Sequence, residues 1–131
     1  MTTLLIVDDS AEMRRLIRQV AAESTDVVIE CTDGDEVLDA YTEHRPDWVL
    51  MDVEMKRMDG LTATRNLTRR HPEAKVVIVT KHTDDETRRV ARELGARFFI
   101  SKDEVFSLRT LIRQSCIPAN KRSLLKGVHN V

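Results

Sequence analysis

The sequence predicts an α/β domain in which helices cover both faces of a parallel sheet. Two observations carry this prediction: short aliphatic runs recur along the 131 residues, and a helical pattern follows each run. Continuous runs of about four apolar residues, rich in β-branched side chains, are typical of strands buried on both faces. The length suits one compact domain, and a hydrophobic content of 41% is enough to build a core.

Five runs supply the predicted strands. They are residues 4–7, residues 27–29 with Cys31, and residues 48–51, 76–79 and 98–100. Strands that alternate with helices imply right-handed crossovers and helices on both faces of the sheet. Five strands are too few for a closed eight-stranded barrel. The expected fold is therefore a doubly wound, five-stranded (βα)₅ parallel sheet in the flavodoxin-like order 2-1-3-4-5.

Apolar stripes and helix breakers predict the five helices. Each helix has apolar side chains at helical spacing, and the first of them in each helix are Met13, Val37, Leu61, Val90 and Leu108. The second helix must end before Pro46 and the third near Pro72, because proline interrupts a helix. Residues 83–86, with the sequence TDDE, predict a capping box that starts the fourth helix, and Gly95 ends that helix.

Residues 1–116 form the predicted domain, and residues 117–131 a basic C-terminal tail or linker. Pro118 breaks the last helix, and the stretch that follows carries three basic residues and no acidic one. The preceding part has a net charge of −4. If the tail is ordered, we expect it to pack on its own domain or on a neighbour.

Composition excludes several functional classes. The chain has 21 basic and 22 acidic residues, which gives no electrostatic basis for binding nucleic acid or an anionic membrane. The first residues lack the basic start of a secretory signal, so a cytoplasmic location is expected. Cys31 and Cys116 are expected to be free thiols, and the four histidines lack the spacing of a zinc site.

Polar side chains follow four of the five predicted strands, at the point where each strand ends. They are Asp8, Asp9, Asp52, Thr80, Ser101 and Lys102. In open α/β sheets this edge binds ligands. Converging carboxylates repel one another unless a cation joins them, and Mg²⁺ prefers such oxygen ligands. A lysine and a hydroxyl beside the ion predict a clamp for a phosphoryl group.

Asp52 is the predicted phosphoryl acceptor, because it stands alone at the end of the central strand. Asp8 and Asp9 are adjacent and better placed to hold the ion. No cysteine, histidine or serine nucleophile is evident, so the expected product is an aspartyl phosphate. The chain has no glycine-rich phosphate loop, and nucleotide is therefore not required.

Residues 3–116 resemble the receiver domain of two-component response regulators, and in size the single-domain, chemotaxis-type members. The motifs LLIVDDS, VLMDVEMKRMDG, VVIVT and GARFFISK carry this resemblance. The spacing also matches: Asp52 lies 43 positions after Asp9, Thr80 lies 28 positions after Asp52, and Lys102 lies 22 positions after Thr80.

The resemblance implies roles for the matching acidic residues. Asp52 matches the phosphoacceptor and also contacts the metal. Asp9 matches a direct Mg²⁺ ligand, whereas Asp8 matches one that acts mostly through water. The backbone carbonyl of Glu54 matches the third protein ligand. The implied cofactor is therefore Mg²⁺.

The resemblance also implies how the signal passes on. Thr80 matches the switch hydroxyl, Lys102 the cation at the phosphoryl group, and Phe99 the switch aromatic. A histidine kinase or phosphotransfer protein is the implied donor. A downstream protein or output domain would bind the face formed by the fourth helix, the fifth strand and the fifth helix. We expect no direct nucleic-acid or membrane contact by this domain, and a monomer or an activation-linked dimer.

The sequence departs from the family pattern at three positions. Lys56 stands where the family usually has proline, and Lys81 where it has a small residue. Asp103 replaces the proline after the lysine, so we expect a trans bond there, since a cis bond costs about 2.5–4 kcal/mol. Ser101 and Glu104 are spaced to cap the fifth helix.

Two residues flank the mouth of the predicted site. Glu54 and His82 each lie two positions after a site residue, Asp52 and Thr80. We hypothesise that they tune attack of water on the phosphoryl group, and the alternative is that they are solvated rim residues.

Two other functions compete with the switch. A hydrolase with an aspartate nucleophile, of the haloacid dehalogenase type, needs an Asp-x-Asp series, whereas this chain has Asp52-Val53-Glu54. The second competing function is that of a scaffold that keeps the fold but is not phosphorylated. The leading prediction is a switch that is not an enzyme on external substrates and catalyses only its own phosphorylation and dephosphorylation. Whether it stands alone or is half of a longer regulator stays open.

Overall fold

The computed structural model describes residues 1–114 and 129–130 and has five parallel strands between two layers of helices. The strands are β1 (Thr3–Val7), β2 (Val27–Cys31), β3 (Trp48–Met51), β4 (Val76–Thr80) and β5 (Phe98–Ser101). The helices are α1 (Ala11–Ala21), α2 (Val37–His44), α3 (Gly60–Arg70), α4 (Asp85–Glu93) and α5 (Leu108–Arg113). The strand order β2-β1-β3-β4-β5 confirms the predicted flavodoxin-like fold.

A sixth strand extends the sheet beyond the five that the sequence predicts. β6 (His129–Asn130) pairs antiparallel with β5, with Phe98 opposite Asn130 and Phe99 opposite His129. A strand of two residues is too short to show an alternating pattern, so it could not be predicted from the sequence. The rest of the predicted tail, residues 117–128 and 131, lies outside the described residues.

Each face of the sheet has its own apolar core. One core joins the strands to α1 and α5, through residues such as Ile17 and Leu108. The other joins them to α2, α3 and α4, through residues such as Tyr41, Leu67 and Ala91. The central strands β1, β3 and β4 are buried along almost their whole length, as their continuous apolar runs predict.

The helix termini follow the predicted signals, with two corrections. α4 is capped by Asp84, whose carboxylate accepts from the Thr87 amide at 3.0 Å, and not by Thr83. α5 starts at Leu108 after a 3₁₀ segment, Lys102–Ser107. Ser101 caps that segment through the Asp103 amide, so Ser101 does not cap α5 as predicted. The Lys102–Asp103 bond is trans, as expected.

The described part of the chain contains no helix that is long and apolar enough to cross a membrane. Cys31 is a free, buried thiol, and burial raises its pKa to about 11. Cys116 lies outside the described residues.

Candidate functional site

Two carboxylates and one ammonium group form the centre of the site. Lys102 Nζ lies 3.0 Å from Asp8 Oδ2 and 3.3 Å from Asp52 Oδ2. Asp8 is 1% exposed and Asp52 5% exposed, so the group is shielded from bulk water. The three side chains come from the ends of β1, β3 and β5, which the sheet brings to one edge. The structure thus brings these three predicted residues together.

Backbone contacts fix both carboxylates. Asp8 Oδ1 accepts from the Ser10 amide at 2.9 Å, at the start of α1. Arg14 of α1 donates to the Asp8 carbonyl at 2.7 Å. Asp52 Oδ1 accepts from the Val53 amide at 2.8 Å. Because a strand end and a helix start hold Asp8, its orientation does not depend on a mobile loop.

The pKa values reflect this crowding of charge. Burial raises the pKa of Asp52, the charge of Asp8 raises it further, and the ammonium of Lys102 lowers it only in part. Burial acts to lower the pKa of Lys102, but contacts with Asp8 and Asp52 outweigh burial and raise it. One lysine therefore does not fully neutralise the carboxylates, and a further cation would stabilise them.

The donor set fits a hard divalent cation. Single carboxylate oxygens of Asp8, Asp9 and Asp52 lie within 4.8 Å of one another. Asp8 Oδ2 is buried, and besides its ion pair with Lys102 it has no hydrogen bond of good geometry in the described structure. Asp9 is exposed, which leaves one side of the cluster open to solvent. Three such oxygens, one of them reachable from solvent, suit Mg²⁺.

Glu54 and His82 meet across the mouth of the site. Their side chains contact each other at 2.5 Å, between Glu54 Oε2 and His82 Nε2. Glu54 belongs to the loop after β3 and His82 to the loop after β4, so the contact bridges two loops. The hydrogen bond and charge of His82, and then the charge of Lys81, lower the pKa of Glu54. The predicted pair exists, although its role is untested.

The two predicted switch residues are buried. Thr80 is fully buried at the end of β4, and its hydroxyl accepts from the His82 amide at 3.0 Å. Phe99 is fully buried in β5, and the guanidinium of Arg88 lies 5.3 Å from the centre of its ring. Arg88 belongs to α4, so α4 contacts Phe99 directly. No pattern in the sequence predicts this cation–π contact.

Two further residues that shape the site were missed. Asp33 is buried just after β2 and accepts from the Arg57 and Met58 amides of the loop after β3. Gly60 lies so close to this edge that an added Cβ would be 1.8 Å from the Asp52 carbonyl oxygen. The strand-end rule, by which polar residues at the carboxyl ends of parallel strands are site candidates, would have found Asp33. Asp33 follows β2, the one strand whose end supplied no predicted site residue.

Comparisons with known proteins identify the family. The family model for the response regulator receiver domain matches residues 4–113. Protein CcdB of Bacillus subtilis is 38% identical over 103 residues, which cover 78% of this chain and 86% of that protein. The chemotaxis protein CheY of the same organism is 34% identical over 100 residues, which cover 76% of this chain and 83% of that protein.

Solved structures give the same result. The two-component response regulator of the LuxR family from Aurantimonas sp. SI85-9A1 superposes with a TM-score of 0.80 at 26% identity. The match covers 88% of this chain and 84% of that one. The chain belongs to the response regulator receiver domain family of two-component signalling.

Proposed function

We propose that Asp52 accepts a phosphoryl group from a histidine kinase or phosphotransfer protein, in a reaction that depends on Mg²⁺. The observation that carries the proposal is the position of Lys102, whose ammonium contacts both Asp8 and Asp52 at the buried edge of the sheet. A lysine held between two carboxylates is positioned to meet the oxygens of a phosphoryl group once it is attached to one of them.

The transfer step is a substitution at phosphorus. An oxygen of the Asp52 carboxylate forms a bond to phosphorus while the bond from phosphorus to the donor's histidine nitrogen breaks. That nitrogen keeps the electron pair. A Mg²⁺ ion held by Asp8, Asp9, Asp52 and the carbonyl of Glu54 would supply positive charge against the phosphoryl oxygens. Lys102 supplies the remaining positive charge from the protein itself.

The proposed switch passes through Thr80 and Phe99. The Thr80 hydroxyl gains a new acceptor when a phosphoryl group is attached at the neighbouring strand end. A shift of Thr80 changes the space beside Phe99, which must respond by packing alone because it has no hydroxyl. The affected face is α4-β5-α5, and a downstream protein or output domain that prefers the repacked face would bind it more tightly.

The chain would then act as a cytoplasmic signalling phosphoprotein and not as an enzyme on an external substrate. Its chemistry is limited to its own phosphorylation and hydrolysis. Neither nucleic acid nor a membrane is needed as a direct partner of this domain.

Intact mass after incubation with acetyl phosphate tests the proposal. We expect wild type to gain one phosphate only when Mg²⁺ is present, and hydroxylamine to remove it, since an acyl phosphate is labile to that reagent. Asp52→Ala should gain none. A folded wild type without an adduct in Mg²⁺ would favour a scaffold, and an undiminished adduct in Asp52→Ala would exclude Asp52 as the acceptor.

A further inference from the structure

Asp33 connects two loops that lie far apart in the sequence. It is 1% exposed and caps the 3₁₀ turn Gly34–Glu36 after β2, where its Oδ2 accepts from the Asp35 amide at 3.2 Å. Its two other hydrogen bonds come from the loop after β3. Oδ1 accepts from the Arg57 amide at 2.9 Å and Oδ2 from the Met58 amide at 3.0 Å. One buried carboxylate thus satisfies two backbone donors of a loop without regular structure.

The loop after β3 also accepts a hydrogen bond from the segment after β2. The Gly34 amide donates to the Met58 carbonyl at 3.2 Å, so donors and acceptors alternate between the two segments. The approach is close: a Cβ on Gly34 would lie 2.4 Å from the Met58 oxygen. Glycine is therefore needed here for space. Outside this layer, the Arg57 side chain pairs with Asp35 at 2.7 Å, an exposed contact that adds little stability.

The loop is fixed at its other end by the phosphoacceptor strand. The Gly60 amide donates to the Val53 carbonyl at 2.7 Å, and Asp52 precedes that residue directly. Glu54 therefore lies between two anchor points, Val53 on one side and the Arg57–Met58 pair on the other. Its backbone carbonyl can move only as far as these anchors allow.

We propose that Asp33 is a positioning residue for the metal site and acts through the backbone of Arg57 and Met58 on the carbonyl of Glu54. The inference rests on the proposed function, because that carbonyl is a Mg²⁺ ligand only in a receiver that binds the ion. Ligand-orienting groups of this kind typically change metal affinity by about 10–100-fold when they are removed.

Asp33→Asn is the main variant for testing this role. An amide group has one oxygen, and its nitrogen cannot accept a hydrogen bond, so at least one loop donor loses its partner. We expect the Mg²⁺ dissociation constant of the full 131-residue chain to rise about tenfold, measured by calorimetry. Faster amide hydrogen exchange at Arg57 and Met58, measured without the ion, should accompany the loss.

Two further variants separate positioning from charge. Asp59→Asn also removes one negative charge, at the exposed cap of α3 next to the loop that Asp33 holds, and should leave the constant within about twofold because exposed charges are screened. Gly34→Ala changes no charge but pushes against the Met58 carbonyl, so it should weaken Mg²⁺ binding as Asp33→Asn does. Gly34→Ala also provides the comparison if Asp33→Asn fails to fold, and thermal unfolding of each variant checks this.

The possible results are distinct. Equal Mg²⁺ constants in wild type, Asp33→Asn and Gly34→Ala would overturn the positioning role even if the variants are less stable. Equal losses in Asp33→Asn and Asp59→Asn would assign the effect to charge and overturn it as well. A wild type that binds Mg²⁺ but forms no phosphate adduct would contradict the proposed function alone.

Discussion

Glu54 and His82 are two single residues that we expect to affect the lifetime of a phosphoryl group on Asp52. Their 2.5 Å contact joins the loops after β3 and β4 at the mouth of the site. Neither side chain belongs to the cluster of Asp8, Asp9 and Asp52. We therefore expect the pair to limit the access of water to a phosphoryl group on Asp52.

Removing either partner should shorten the phosphoryl lifetime, because the bridge between the two loops is lost and water gains access. We expect Glu54→Ala and His82→Ala to speed dephosphorylation to a similar extent. The double variant should add little to either single one, since residues that act as a unit are not additive. Loss of adduct mass over time after removal of the phosphodonor measures the rate. Unchanged lifetimes would mean that both are solvated rim residues.

The pH dependence of the free energy of unfolding should reveal how much the Asp33 carboxylate contributes to stability. Burial acts to raise its pKa, but three backbone amides and the charge of Arg57 outweigh burial and lower the value from 3.8 to about 2. A carboxyl whose pKa is lowered by folding stabilises the folded state at pH values above its pKa in the unfolded chain. This contribution is lost as the pH falls towards its pKa in the folded chain. Urea unfolding should therefore show a stability gap between wild type and Asp33→Asn of about 1–3 kcal/mol at pH 7.

That gap should narrow between pH 4 and pH 2, as the carboxyl of Asp33 becomes protonated. Asp59→Asn serves as the control, because its carboxylate is exposed. A gap between wild type and Asp33→Asn that is the same at pH 3 and pH 7 would show that the carboxylate charge does not contribute.

Among the secondary-structure elements, the connection from β3 to α3 demands the closest packing. Gly60 starts α3, and its Cα approaches the Asp52 carbonyl so closely that no side chain fits. The close approach lets the helix begin directly behind Asp52. Sequence alone pointed to a helix here but not to this constraint, because the contact joins β3 to a residue that only the tertiary structure brings close.

Gly60→Ala should destabilise the domain by about 1–3 kcal/mol, because the backbone must shift to admit the methyl group. It should also lower the yield of phosphorylated protein at saturating phosphodonor, since Asp52 moves with its carbonyl. Arg65→Ala on the exposed side of α3 is the control for a substitution in the same helix. Urea unfolding and intact mass measure the two effects, and equal stability of both variants would contradict the steric explanation.

The positions of the elements were largely predictable because their signals are local. Aliphatic runs marked β1 to β5, and prolines and caps marked most helix ends. The features that were not predicted arise from contacts between residues distant in the sequence. They are the hydrogen bonds from Asp33 to the loop after β3, the cation–π contact of Arg88 with Phe99, and the pairing of β6 with β5. None of these leaves a periodic pattern. The strand-end rule found Asp8, Asp52 and Lys102 because parallel topology brings strand ends together whatever the loops do.

At the scale of the whole molecule, β6 covers the outer edge of β5, next to the buried switch aromatic Phe99. Removing residues 129–131 should speed amide hydrogen exchange at Phe98, whose amide faces β6 because the Arg97 amide before it donates to Val76 of β4, while exchange in the central strand β3 stays unchanged. Exchange followed by nuclear magnetic resonance resolves these amides. An equal rate at Phe98 with and without the last three residues would show that β6 does not protect this edge in solution.

The oligomeric state stays a prediction of a monomer or an activation-linked dimer. Some of the charges on α4 pair within the helix, since Arg89 contacts Glu93 at 3.0 Å and Glu86 at 3.6 Å. These residues therefore satisfy one another without a second copy. Whether the domain stands alone depends on the rest of the tail, and residues 117–128 and 131 lie outside the described residues.

Chemical trapping of the phosphorylated residue tests the central claim most directly. Borohydride reduces an aspartyl phosphate to homoserine, and peptide mass spectrometry then locates the change. After incubation with acetyl phosphate and Mg²⁺, homoserine should replace aspartate at position 52, and omission of Mg²⁺ should abolish the change. Conversion at Asp8 or Asp9, or none at all in a folded chain with Mg²⁺, would contradict the assignment of Asp52 as the phosphoacceptor.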